Sequence, residues 1–443
     1  MASRADVVRA GGDVRSYLAA VNRARIAYRA GSPGQLRRLG AMGVLGALLV
    51  GAGGALAVTI TMTALNRADD ALTHRDRLQS ARVELFRADA DAAGAFLRGG
   101  LEPTDQRRQF LASLSSASGN VIAAAGSGAG GAGSHDGRYI QVNRALTEYS
   151  GLLETARSSN RQALPVGASY LQIGSDLLNR SVLPPLGAMA QEDSDRADAA
   201  FTLALWSAVA FVVCVVAGGV LLARSQYQLA QVTHSVFTGP AAVTGALLAV
   251  VALAVAVLVL ISAREAVEVR DGDVRRVADL VEARAGAFEA RAAENLTLVA
   301  RGARPQGENE WQQAQQRVVA ASEDAVTDWP GLDSSGDGVA RLFPSFPEYL
   351  EKHAELHRAD LDGDWPGAVR LATDTGDGGL TAAFSTFDQD SAERLTGVSR
   401  SAERGLDDAG GGLGRSALAV LLAGLIAAAG TAFGVARRLG EYR

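Results

Sequence analysis

Cysteine is almost missing from this chain. Cys214 stands alone inside an apolar run, which excludes a disulfide framework or a thiolate metal cluster within one chain. Lysine is as scarce, with Lys352 the single example among abundant arginine. Five histidines and a formal net charge of -5 give no global mark of a nucleic-acid binder. Charge is wholly absent from four stretches: 39–65, 201–223, 239–263 and 416–436. A helix needs about 20 residues to cross the hydrocarbon core, and a charge at its centre costs roughly 2.5–3.5 kcal/mol on insertion scales. Four such windows predict four transmembrane helices. Buried helices of a soluble protein rarely run this long without a charge.

Catalytic signatures are missing too. The Gly/Ser-rich loop at 126–134 lacks the Gly-Lys-Ser/Thr ending of a phosphate cradle, and no nucleophile motif occurs. The expectation is a protein that is not an enzyme and holds no cofactor or metal. His353 and His357 lie four apart on one helical face, a spacing that could hold a metal. No third ligand accompanies them, so a solvated face is the preferred reading. Asp360, Asp362 and Asp364 begin like a calcium loop, but Trp365 and Leu371 stand where its glycine and bidentate glutamate belong.

What is present fixes an orientation. The segment 1–38 carries Arg4, Arg9, Arg15, Arg23, Arg25, Arg29, Arg37 and Arg38 against Asp6 and Asp13. The loop 224–238 has Arg224 and no acid, and the tail 437–443 has three arginines against Glu441. The long loops are acidic: 66–200 holds 16 acids and 14 bases, and 264–415 holds 29 acids and 17 bases. The positive-inside rule therefore places 1–38, 224–238 and 437–443 in the cytoplasm and both long loops outside. The expectation is a multi-pass plasma-membrane protein with cytoplasmic N- and C-termini. Those inner segments are too short to bury the core of a kinase, cyclase or ATPase. Charge-free spans also argue against an ion pathway.

The plan span, outer domain, span repeats after the middle loop, which predicts an all-α membrane protein built from a duplicated unit. Each long loop is read as an extracytoplasmic four-helix bundle whose outer helices continue from the spans. In the first, helices are expected over 66–98, 104–125, 137–162 and 165–198, with Pro184 and Pro185 kinking or interrupting the last. In the second, Val267, Val274, Val281 and Phe288 recur every seven residues, predicting a bundle seam with Arg and Glu on the other faces. Further helices are expected over 308–326, 348–373 (broken at 362–364) and 380–413. The turns at 99–103 and 162–165 fall at one bundle tip, where Arg98, Glu102, Arg157, Asn160 and Arg161 are candidate partner contacts. Arg23, Arg25 and Arg29 are candidates for a cytoplasmic output surface. In the spans, Gly43, Ala47, Gly51 and Ala55 form a small-residue face, as do Gly424, Ala428 and Ala432, suited to close helix packing.

Several runs resemble a known family. They are Tyr149–Arg157 (YSGLLETAR), Asn160-Arg161-Gln162, Leu164–Leu171 (LPVGASYL), the helix Phe86–Leu97 with the Gly-Gly-Leu-Glu-Pro that follows, and the closing Arg437–Arg443. Together with four spans and two outer bundles, they are similar to actinobacterial membrane proteins of the GlnX type. The bundles also resemble chemoreceptor ligand domains, but the signalling coiled coil of those receptors is absent. The GlnX resemblance implies a solute-binding lipoprotein as outer partner, one that takes acidic amino acids or glutamine. It also implies a soluble serine/threonine kinase as inner partner. Membrane lipid is a further expected partner, nucleic acid is not, and a homodimer is left open. The function expected is a non-enzymatic transducer. The alternative is a structural or accessory subunit of a transporter or envelope complex.

Overall fold

The computed structural model describes residues 33–99, 102–126, 136–233, 239–301, 304–327, 329, 338–376, 379–411 and 413–440. Among these, all regular structure is helical. The first half contains α1 (Pro33–Arg98), α2 (Thr104–Gly126), α3 (Asp136–Arg161), α4 (Val166–Leu177) and α5 (Leu183–Thr233). The second contains α6 (Gly239–Val269), α7 (Arg275–Ala300), α8 (Gly307–Thr327), the short α9 (Gly338–Leu342), α10 (Phe346–Leu361), α11 (Trp365–Thr373), α12 (Leu380–Gly410) and α13 (Leu413–Gly440). Arg23, Arg25 and Arg29 lie outside the described residues, as do 127–135 and 330–337.

Four stretches are long and apolar enough to cross a membrane: Arg37–Arg98, Val166–Gln228, Ala242–Ala300 and Leu380–Arg437. They contain three of the four uncharged runs whole and the other, 239–263, from residue 242 onward, and by length and composition they make this a multi-pass membrane protein. The chain divides into two compact units. One comprises the described parts of Met1–Ala64, Thr202–Arg264 and Gly410–Arg443. Its core is small-residue packing, with Ala47, Ala252, Ala427 and Ala428 among the buried side chains. A Cβ built on Gly51 would lie 2.6 Å from the Cα of Gly424, so the backbones of α1 and α13 meet there directly. The two small-residue faces read from the sequence thus pack on one another. The Thr61 and Ser207 hydroxyls bond at 2.7 Å. Leu45, Leu56, Val213, Val250 and Phe433 are exposed, an apolar surface that water would penalise and lipid would not.

The other unit comprises Leu65–Phe201 and Glu265–Ala409. Here the fold departs from the expected pair of bundles. Both long loops share one continuous core, from Leu85, Phe110 and Tyr149 to Phe288, Tyr349 and Phe387. The departure is clearest on α7. Of its predicted seven-residue seam, Val281 and Phe288 are buried, as is Val274 just before the helix, while Val267 is half-buried; yet from Ala283 to Ala300 only Glu289 and Thr297 escape burial. Arg284, Arg291 and Glu294 are therefore inside, not on a solvated face. The cause is that α1 packs on the side the seam leaves open. Asn295 Nδ2 donates to the Ala90 carbonyl at 3.2 Å, and the Arg87 guanidinium lies over the Phe288 ring at 4.9 Å.

Pro184 and Pro185 neither break nor end their helix. A π-turn, Leu178–Val182, joins α4 to α5 immediately before them. Each proline lacks an N–H and crowds the carbonyl four residues back, at Arg180 and Ser181. The wider turn takes up both defects. A second π-turn, Arg270–Val274, joins α6 to α7. It has no proline, and nothing in the structure explains it.

Candidate functional site

Two turns build the site. α1 ends at Gly99, which adopts φ +65 and donates its N–H to the Phe96 carbonyl at 3.2 Å. Glycine takes this left-handed conformation without steric cost. α3 ends in a tighter turn, with Ala163 at φ 55 and the Leu164 N–H donating to Ser159 at 2.9 Å. A Cβ on Gly167 would lie 3.0 Å from the Ala156 carbonyl, so α4 can return closely along α3 only with glycine there.

Between these turns lies a cavity of about 460 Å³. Glu102, Arg157, Asn160 and Arg161, all singled out in the sequence, line it. Arg157 organises it. Its Nε lies 3.2 Å from Glu102, its Nη1 lies 2.9 Å from Glu154, and its guanidinium plane sits 4.0 Å over the Phe110 ring. Arg107 meets the same Glu154 at 2.9 Å. The result is an alternating chain Arg107–Glu154–Arg157–Glu102 across α2, α3 and the first turn. Asn160 Nδ2 donates to the Phe96 carbonyl at 3.2 Å, tying α3 to the end of α1. Arg108 is exposed and pairs only with the exposed Asp105, while Arg161 has no charged partner among the described residues. Leu153 and Leu171 supply an apolar wall. Four arginines and two glutamates on one cavity leave spare guanidinium donors, suited to a carboxylate on a ligand or a partner surface.

Arg98 does not join the other four. It turns to a separate cavity, where its Nη1 donates to Gln106 Oε1 at 3.0 Å. Arg107 and Glu154 line the first cavity, Phe110 lies beneath its Arg157, and none of the three was singled out from the sequence. The only sequence signal was a cluster of arginines after Pro103.

Buried polar groups brace the same unit. Asp89 accepts hydrogen bonds from Ser175 at 2.7 Å and Tyr149 at 3.1 Å. Burial pushes its carboxyl up to about 6, against the lowering effect of those bonds. His74 pairs with Asp193, both buried, and Tyr139 reaches the other ring nitrogen at 2.7 Å. In the second half, the solvated-face reading of the histidine pair fails for His353. Its ring stacks on Trp311 at 3.5 Å between centroids, and its Nδ1 bonds Glu294 at 2.7 Å. His357 lies 3.3 Å from Glu308. No group of three or more metal-ligating side chains is gathered among the described residues.

Neither the curated proteins nor the solved structures contain a match to this chain. Residues 63–202, which hold every residue of the first cavity, match the family model described as an actinobacterial sensor domain, so this stretch is similar to the sensor domains of actinobacteria.

Proposed function

We propose that the chain is a non-enzymatic transmembrane transducer whose sensor unit faces outward and whose termini lie in the cytoplasm. An extracytoplasmic lipoprotein that binds amino acids docks where Glu102, Arg157, Asn160 and Arg161 ring the first cavity. The state of that complex passes to a soluble serine/threonine kinase through the basic inner segments, Arg23, Arg25 and Arg29 among them. The match of 63–202 to a sensor domain supports the sensing half of this reading. One observation carries the transducing half: α1 is a single helix from Pro33 to Arg98, holding an apolar span and ending at the cavity turn. A helix moves largely as a rigid rod, so a displacement at one end is felt at the other. The ionic chain around Arg157 could exist in two pairings, and a docked carboxylate competes for its guanidinium donors.

The test reads both ends. A photo-cross-linking residue in place of Arg161, activated in intact cells, is expected to capture a solute-binding lipoprotein. Deleting residues 2–32 while keeping Arg37 and Arg38 is expected to preserve insertion but abolish amino-acid-dependent phosphorylation of cytoplasmic proteins. Unchanged phosphorylation after that deletion would refute an N-terminal output. Capture of transport subunits alone would favour an accessory role.

A further inference from the structure

The second cavity, about 360 Å³, lies where the two halves of the helical unit meet, with α1 and α2 on one side and α7 and α12 on the other. Most of its charges are already engaged. Arg87 pairs with Asp388, which also holds Arg284 from behind the cavity wall. Arg291 pairs with Glu294 and donates to the Ala372 carbonyl at 2.7 Å. Three groups are left over. The Asp91 carboxylate accepts no hydrogen bond from a described residue. Asn295 is 2% exposed, and once its Nδ2 has bonded Ala90 its Oδ1 has no partner. Arg98 uses one of its five donors, on Gln106.

These leftovers have an order. Asp91 and Arg98 both line the cavity from α1 and are seven residues apart, two helical turns or about 10 Å. Between them sits Gly94, where a Cβ would come within 3.3 Å of Asn295 Nδ2. The absent side chain leaves the floor open between an unpartnered anion and an under-used cation. Asp91 is half-buried and lines the cavity, so its carboxylate is open to a donor carried by a ligand.

We infer that this cavity is a binding site for a small zwitterion whose ammonium and carboxylate groups are separated by several bonds, the ammonium held by Asp91 and the carboxylate by Arg98. A single cation would leave Arg98 without a carboxylate, and a single anion would leave Asp91 without a cation. The charged groups facing Asp91 are Arg87 and Glu84 on α1, Arg291 on α7 and Asp388 on α12. Burial outweighs the two arginines and lifts its carboxyl to about 7. Ammonium binding needs the ionised form, so affinity falls by about tenfold between well above pH 7 and pH 6. A ligand here touches both halves at once, and its contacts are separate from those of the first cavity.

The test uses three probes of one length on the purified full chain in detergent, followed by calorimetry: 5-aminovalerate, pentylammonium and valerate. The zwitterion is expected to bind at least tenfold more tightly than either singly charged probe. Asp91→Asn keeps the side-chain shape and is expected to weaken zwitterion binding at least tenfold and to remove its pH dependence, without lowering thermal stability. Equal binding of 5-aminovalerate and valerate would overturn the assignment. So would undiminished zwitterion binding by Asp91→Asn, or no zwitterion binding at millimolar concentration.

Discussion

Glu294→Ala is expected to destabilise the helical unit by about 3–5 kcal/mol, the usual cost of removing one partner from a buried ion pair. Glu294 is 3% exposed and holds two cations, Arg291 and His353. Without it, Arg291 keeps only the Ala372 carbonyl and Thr381. His353 keeps only Glu308, at 3.6 Å. Burial by itself would lower the His353 pKa, but the hydrogen bonds to Glu294 and Glu308 and their charges raise it to about 9. The sign follows. A histidine raised from its ordinary 6.5 adds stability that is complete below about 6.5 and is lost as pH rises through about 9. Glu294 and Glu308 are held below their ordinary range despite burial, so their share is lost instead as pH falls through the acidic range. Urea denaturation of the purified chain in detergent, followed by tryptophan fluorescence, reads this directly because Trp311 stacks on His353. The wild type is expected to lose stability between pH 6.5 and 9, and the variant to show a much flatter profile. Asp105→Ala removes a pair whose side chains are 78% and 79% exposed and is expected to change stability hardly at all.

Gly51→Leu is the second large effect. At this site the obstacle to a side chain is the backbone of Gly424, which cannot rotate aside. Overpacking a close helix contact costs typically 1–3 kcal/mol and sometimes more, and here α1 and α13 must move apart. The loss extends along the seam, because Ala47, Ala427 and Ala428 are buried in the same cluster. Gly219 is the control. A Cβ there meets nothing within 4 Å, so Gly219→Ala is expected to be neutral or slightly stabilising. Thermal unfolding in detergent, with cross-linking between cysteines placed on α1 and α13, distinguishes the two. Gly51→Leu loses the cross-link and Gly219→Ala keeps it.

The spans, the helix boundaries and the small-residue faces could be read from the sequence because each depends on local composition or a short repeat. The fusion of the two helical loops could not. Asn295 and Ala90 are separated by 205 residues, and no local pattern announces that they meet. The same distance in sequence hid the role of α7. Its repeat identifies one buried face, but burial of the others is decided by α1, from the opposite half of the chain. His353 illustrates the consequence. A pair of histidines between Lys352 and Arg358 has the composition of a solvated helix face, and only the arrival of Glu294 and Trp311 makes it interior. Among the candidate contacts, Glu102, Arg157, Asn160 and Arg161 come together because consecutive helices must place their turns side by side. Arg98 sits on the adjoining face of α1, beyond the reach of that argument.

The outward-facing sensor unit is the claim on which the transducer rests, and the chain's single cysteine makes it directly measurable. In a Cys214→Ser background, Arg108→Cys places a thiol at an exposed position beside the first cavity, and Arg224→Cys places one at an exposed position on α5, just past the second uncharged run. Wall-stripped intact cells are then treated with a membrane-impermeant maleimide. The account predicts that Arg108→Cys is labelled at once and Arg224→Cys only after permeabilisation. Labelling of Arg224→Cys in intact cells, with Arg108→Cys protected until the membrane is opened, would put the sensor unit in the cytoplasm and contradict it.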